Sequence, residues 1–175
     1  MKHKPFFLFF LLMLVASVLG CGYTQKSVLP RDIKTIYVDT VKNKISIDTV
    51  YAYEPGLEMK ITQAIIRRLN QDGNLRVVSN KEQADAVLET DLTKFEQGGL
   101  RFSSLESVEE YRMFVVVAAR LLDAKNAETI WTEPEFSGDA EYFVSSIRSI
   151  SRSEAADRAV DRLARNLVDR VVEDW

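Results

Sequence analysis

The sequence predicts a two-layer α/β sandwich, with two helices packed on one face of a four- to five-stranded mixed sheet. Three observations carry that expectation. Two stretches, residues 56–71 and the segment after Ser151, repeat apolar residues at helical spacing on one side only. Several shorter stretches alternate apolar and polar residues with a period of two. The first helix falls between two of those strands, and a strand–helix–strand unit within one sheet makes its strands parallel.

The elements follow in chain order. Residues 33–41 make the first strand, with Ile36 and Val38 on one face and Thr35, Tyr37 and Asp39 on the other. Residues 42–53, KNKISIDTVYAY, alternate briefly and read as a loop with an extended piece. Pro55 suits a helix start. Leu57, Ile61, Ala64, Ile65 and Leu69 form the apolar stripe, and Asp72-Gly73 stops it with a residue tolerant of the left-handed conformation. LRVVS, 75–79, is a short second strand. In the strand over 85–96, Leu88, Thr90 and Leu92 share a face, while Phe95 is out of phase and marks a bulge or an end.

Residues 98–109 read as a loop that leaves Leu100 and Phe102 exposed. Residues 110–123 form the most hydrophobic strand, which places it centrally. After the AKNAE turn, TIWTEPEFSGDAEYF returns antiparallel. Pro134 has no N–H for a ladder, which assigns that strand to an edge or to a bulge. The last helix opens on the capping-box spacing of Ser151 and Glu154. Ala156, Val160, Leu163, Ala164, Leu167 and Val171 form its stripe. Glu154 with Arg158 and Asp161 with Arg165 are spaced as i,i+4 ion pairs on its outer face.

The chain begins with Lys2, His3 and Lys4 and then runs apolar from Phe6 to Leu19. A basic start followed by a short apolar run reads as a secretory signal, and it is short for a membrane span. Val18-Leu19-Gly20-Cys21 resembles a bacterial lipobox, although Leu19 stands where small residues are usual. The resemblance makes residues 1–20 a cleaved signal, Cys21 the attachment point for a diacylglycerol and an N-acyl chain, and residues 21–32 a lipidated tether. Each buried CH₂ contributes about 0.8 kcal/mol, so several chains together anchor durably. Gly22, rather than Asp, after the cysteine points to the outer membrane.

Composition excludes several activities. Removing residues 1–20 leaves 155 of the 175 residues, enough for one domain with a real core over 33–175. It also removes Lys2 and Lys4, leaving 21 basic against 26 acidic residues, a net of −5. That balance gives no electrostatic footprint for nucleic acid. His3 is the only histidine and departs with the signal; Cys21 is the only cysteine and becomes a thioether. The mature chain therefore has no Cys/His zinc site and no Ser-His-Asp or Cys-His machinery. The expectation is no catalytic residue, no metal and no cofactor beyond the covalent lipid. Trp131 and Trp175 read as packing residues.

CGY at the anchor, LPRDIKTIYVDTVKN, a helix, LRVVSNKEQADAVLETDLTKFE and EYRMFVVVAARLLDAKNAETIW stand in an order that resembles the lipopolysaccharide-assembly lipoprotein (LptE) family. Phe136, Tyr142 and the charged C-terminal helix fit it too. Strand one departs from the pattern at Val38-Asp39-Thr40-Val41, where a proline and an aromatic are expected. The resemblance implies a plug inside a large outer-membrane β-barrel, the LptD translocon. Such a protein helps the barrel assemble and helps lipopolysaccharide reach the outer leaflet from a lipid-anchored, periplasmic-side position. It also implies basic lipopolysaccharide contacts on a loop-and-strand surface. Arg101 is the first candidate there, with Lys94 and Arg112 flanking it, and Leu100 and Phe102 available to acyl chains. The competing reading is an outer-membrane lipoprotein that regulates a cell-wall synthase or a transporter. The short tether, at most roughly 40 Å when extended, favours a partner in the membrane itself.

Overall fold

Alternation with a period of two in three long stretches builds most of the molecule. The computed structural model describes residues 33–46, 54–103, 108–144 and 150–173. The signal, Cys21, the tether, residues 47–53 and Trp175 lie outside the described residues. Strands β1 (Thr35–Val38), β2 (Lys42–Asn43) and β3 (Arg76–Val77) are short. Strands β4 (Ala86–Phe102), β5 (Val108–Asp123) and β6 (Thr129–Phe143) are long. The sheet order is β3-β1-β4-β5-β6, with β2 paired to β4 off that path. β1 is parallel to β3 and β4, while β5 runs antiparallel to both of its neighbours, β4 and β6. The strand count is therefore six, one above the expected range. The addition, β2, comes from the segment whose alternation was too brief to read.

Helices α1 (Leu57–Asp72) and α2 (Arg152–Glu173) cover one face. Along β5 the choice of face is strict: Met113, Val115, Val117, Ala119 and Leu121 are buried, and the residues between them are not. They meet Ile61, Ile65 and Leu69 of α1 and Leu163, Leu167 and Val171 of α2 in one core. Gly56 and Gly73 bracket α1 at positive φ, and the Gly73 N–H donates to the Leu69 carbonyl at 3.1 Å. Before α2, the Ser151 hydroxyl accepts from the Glu154 N–H at 3.0 Å. No described helix is long and apolar enough to cross a membrane.

Several sequence expectations need correction. Residues 98–102 are not loop: β4 continues to Phe102, and β5 starts at Val108. Register shifts at Leu92/Lys94, Gly99/Arg101 and Arg101/Phe102 break the alternation, and so hide a strand behind a loop-like pattern. Phe95, out of phase in the sequence, is buried because the first of these shifts restores it to the core face. The second strand keeps only two residues of the five expected, and the first keeps four. Pro134 lies in the edge strand and also at a bulge, between the pairs Ala119 with Glu133 and Val117 with Phe136. The Asp161–Arg165 pair does not form: Asp161 reaches Arg67 of α1 at 3.5 Å instead.

Two local devices hold the layers in register. Asp85 sits just before β4, and its Oδ2 accepts from the N–H groups of Lys34 and Thr35, both at 3.0 Å, and from the Thr35 hydroxyl at 2.8 Å. The Lys34 N–H foremost, helped by Thr35 and opposed by burial, holds the Asp85 carboxyl below the usual carboxylate range. At the other edge, α2 lies directly on Gly138 of β6. A Cβ there would collide with the Ala159 carbonyl and the Leu163 backbone, the Leu163 Cα standing 2.8 Å away.

Two outcomes follow. Gly138→Ala forces α2 off the sheet and lowers stability in urea by about 3 kcal/mol, the upper end of overpacking costs, which is a melting-temperature drop of roughly 10 °C at this size. An unchanged urea midpoint would show that α2 is not seated there. Asp85→Asn weakens the clamp, and the pH dependence gives its signature. The native carboxyl titrates below its unfolded value near 3.9, so its contribution is full above that pH and is lost as pH falls through the native value. The stability gap between wild type and Asp85→Asn is constant at neutral pH and closes below about pH 4. A gap that persists at acid pH would place the effect elsewhere.

Candidate functional site on the helix-free sheet face

Because one face of each strand is committed to the helices, the other carries whatever the sheet presents outward. On β5 these are Glu110, Arg112, Phe114, Val116, Ala118, Arg120 and Leu122. Phe114, Val116 and Ala118 are half-buried and form an apolar spine along the centre of this face. Charged pairs end it at Arg112 and Arg120 and bridge it near Val116. Arg120 meets Glu89 of β4 at 2.9 Å, and Lys94 meets Glu135 of β6 at 3.3 Å. Arg112 hydrogen-bonds Glu141, lies 3.6 Å from Asp139 and stands 5.9 Å over the Phe114 ring. The Glu141 hydrogen bond, ahead of the neighbouring carboxylates, raises the Arg112 pKa further above its already high ordinary value.

The three basic residues singled out in the sequence all lie on this face. Lys94 pairs in register with Val116, Arg112 with Gly98, and Arg101 with Glu110. They form a line rather than a cluster: Lys94 and Arg101 are seven positions apart on β4, roughly 20 Å of strand. Arg101 is not on a loop. It stands at the end of β4, 63% exposed, 3.4 Å from Glu110, whose side chain is only 9% exposed. Sequence reasoning missed Glu110, which among the described residues is the one charged side chain counted as buried. The register pairing with Arg101 that would have revealed it depends on two opposed bulges.

At the same end of the sheet, Leu100, Phe102, Phe143 and Val144 are exposed. Leu100 is the extra residue of the Gly99/Arg101 shift, which turns it outward. Behind this tip the Tyr111 and Tyr142 rings stack at 5.5 Å and close the core. Burial pushes the Tyr142 phenol above its ordinary pKa. Trp131 is buried and meets Phe136 edge-on at 6.0 Å, in the packing role expected for it. Among the described residues, no group of three or more His, Cys, Asp or Glu side chains could hold a metal ion. Among its described residues this face holds neither histidine nor cysteine. What it offers is an apolar track bordered by ion pairs.

The same fold occurs in solved structures of distant sequence. The NMR structure of uncharacterized lipoprotein B from Nitrosomonas europaea is similar at 18% identity and a TM-score of 0.59, over 86% of this chain and 90% of that one. A protein from Xanthomonas campestris is similar at 14% identity and a TM-score of 0.56, over 79% and 84%. A hypothetical protein from Chlamydia trachomatis reaches a TM-score of 0.51 at 15% identity, over 79% and 95%. At these identities the likeness is one of fold. No curated protein sequence matches the chain. The family model for lipopolysaccharide assembly, LptE, matches residues 33–175, which span the whole sheet and both helices. On that match the chain belongs to the LptE family of lipopolysaccharide-assembly proteins.

Proposed function

We propose that this chain is a non-enzymatic outer-membrane lipoprotein, anchored through Cys21 on the periplasmic side. In this reading it plugs an LptD-like β-barrel and contacts lipopolysaccharide along the helix-free sheet face. Family membership supports the assembly role. The observation that carries the contact is the line of Lys94, Arg112 and Arg101 beside the Phe114-Val116-Ala118 spine. Lipid A phosphates take the place of Glu135 on Lys94 and Glu141 on Arg112, and meet the remaining donors of Arg101, which keeps Glu110, while acyl chains lie on the spine and on Leu100 and Phe102. The exchange costs little at Lys94 and Arg112, because an exposed ion pair contributes only about 0–1 kcal/mol. Large barrels have polar lumens, which suits a charged plug.

Affinity purification of the tagged, lipidated chain from detergent-solubilised outer membrane tests the barrel reading. A large β-barrel co-purifies at about one to one by mass spectrometry. Recovery of a cell-wall synthase without a barrel would replace the plug reading with that of a regulator. Direct binding of purified lipopolysaccharide tests the face. Arg101→Gln is preferred to a charge reversal, which would set a second carboxylate beside Glu110. Loss of one charge-assisted bond, about 1.5 kcal/mol, weakens binding roughly tenfold. Unchanged binding in Arg101→Gln, Lys94→Gln and Arg112→Gln alike would remove lipopolysaccharide from this face.

A further inference from the structure

A second group of cations lies on the helical layer, away from the sheet face just described. α1 and α2 run side by side in the same direction, since Lys60 meets Asp157, Arg67 meets Asp161 and Arg68 meets Asp169. Two clefts open on their outer surface. One, of about 410 Å³, lies where α2 meets the end of β6 and is lined by Arg158, Arg162, Arg165, Asp161 and Glu141. The other, of about 270 Å³, lies between the helices and is lined by Arg67, Arg68, Arg165 and Asp161. They adjoin, and both include Asp161 and Arg165. Five arginines thus line the two clefts, four of them held in ion pairs with Asp161, Asp169, Glu154 and Asp139.

The arginines are not equivalent. Arg67, Arg68, Arg158 and Arg162 each have a carboxylate, at 3.5, 3.1, 2.8 and 2.9 Å. Arg165 has none within 4.0 Å among the described residues. Its i,i+4 neighbour, Asp161, is turned toward Arg67 instead. Arg158, Arg162 and Arg165 stand at i, i+4 and i+7, on one side of α2. Ala64 and Ala164 keep the inter-helix cleft open beside Arg165. A guanidinium presents a planar fork of donors that matches tetrahedral oxyanions, and two or three forks converging on a concave site outcompete water for phosphate.

We propose that this trough binds a phosphate-bearing anion, with Arg165 as the central contact and the two clefts each able to take one phosphate of a diphosphate. An acidic peptide fits less well. It needs one continuous groove, whereas here two compartments meet at Arg165 with Asp161 between them. Lys94, Arg101 and Arg112 lie outside the site, although Glu141, the Arg112 partner, lines its first cleft and Asp139 pairs with both Arg112 and Arg162; Arg165 itself touches none of that line, and its substitution tests the trough separately.

The test titrates the full-length processed chain, in detergent at low ionic strength, with inorganic pyrophosphate by calorimetry. Saturable binding is expected, weakened at least about tenfold in Arg165→Gln and unchanged in Arg76→Gln, an exposed arginine on β3. Arg165 is exposed, so both variants keep the wild-type melting temperature. Doping the micelle with phosphatidylglycerol then separates the sources. Competition by phosphatidylglycerol but not by zwitterionic phosphatidylcholine supports the site and assigns it to lipid headgroups. Saturable pyrophosphate binding without that competition supports it and assigns it to free phosphates. Absence of saturable binding, equal weakening in Arg76→Gln, or tighter binding of polyglutamate than of pyrophosphate overturns the proposal.

Discussion

The backbone-to-backbone contact of α2 with Gly138 fixes where everything else in this molecule goes. A helix normally rests on a sheet through side chains; here the glycine lets it descend onto the strand itself. The helix answers with small residues, since Ala155, Ala156, Ala159 and Ala164 are all buried. Seated this low over β6, α2 leaves the rest of the width for α1, which covers the β1–β4 side through Ile61, Ile65 and Leu69. Both amphipathic stripes are then used on one face. No third helix covers the other face among the described residues, and its exposure is a direct result of how the first face is closed.

Length sets the second constraint. At about 3.3 Å per residue, the 17 residues of β4 span roughly 55 Å, whereas the 22 residues of α2 span roughly 33 Å. A helical layer of that length cannot cover the whole ribbon. The core ends at the Tyr111–Tyr142 stack, and beyond it β4 and β5 continue as a ribbon without a helix behind it. Its apolar residues have no core to enter, and the bulges at Gly99/Arg101 and Arg101/Phe102 turn them further outward. Exposed Leu100, Phe102, Phe143 and Val144 are thus concentrated where the two layers part, and such concentrations mark contact surfaces. The buried Glu110 beside Arg101 gives the same tip a fixed charge pair within an apolar setting.

Whatever was periodic and long was legible in the sequence. Both helices, the interior position of β5 and the edge position of Pro134 followed from helical spacing, from a continuous apolar run and from a missing N–H; the middle strand of the path, however, is β4. The out-of-phase Phe95 even located the first bulge. What could not be read depended on partners distant in the chain. β2 is two residues that become a strand only because Asp91 and Leu92 are there to pair with them. The overhang of β4 looked like a loop because its glycines and bulges erase the alternation. The three basic candidates were found by residue type, and the sequence placed them only loosely around one loop. Their carboxylate partners Glu135, Glu141 and Glu110 come from strands whose register the sequence does not state.

The misread Asp161–Arg165 pair shows the same principle at the level of charge. An i,i+4 pair on an exposed helix face stabilises by only about 0.2–0.5 kcal/mol, so any cross-helix partner of comparable geometry can displace it. Arg67, brought alongside by the packing of α1 on the same sheet face, is such a partner. The helix contact that buries the core therefore also redistributes the surface charge and leaves one guanidinium without a carboxylate. On the sheet side the opposite holds, because strand register delivers an acid to every one of the three basic candidates. On the sheet surface each candidate cation is neutralised in register, whereas on the helix surface Arg165 is left without a carboxylate within 4.0 Å among the described residues.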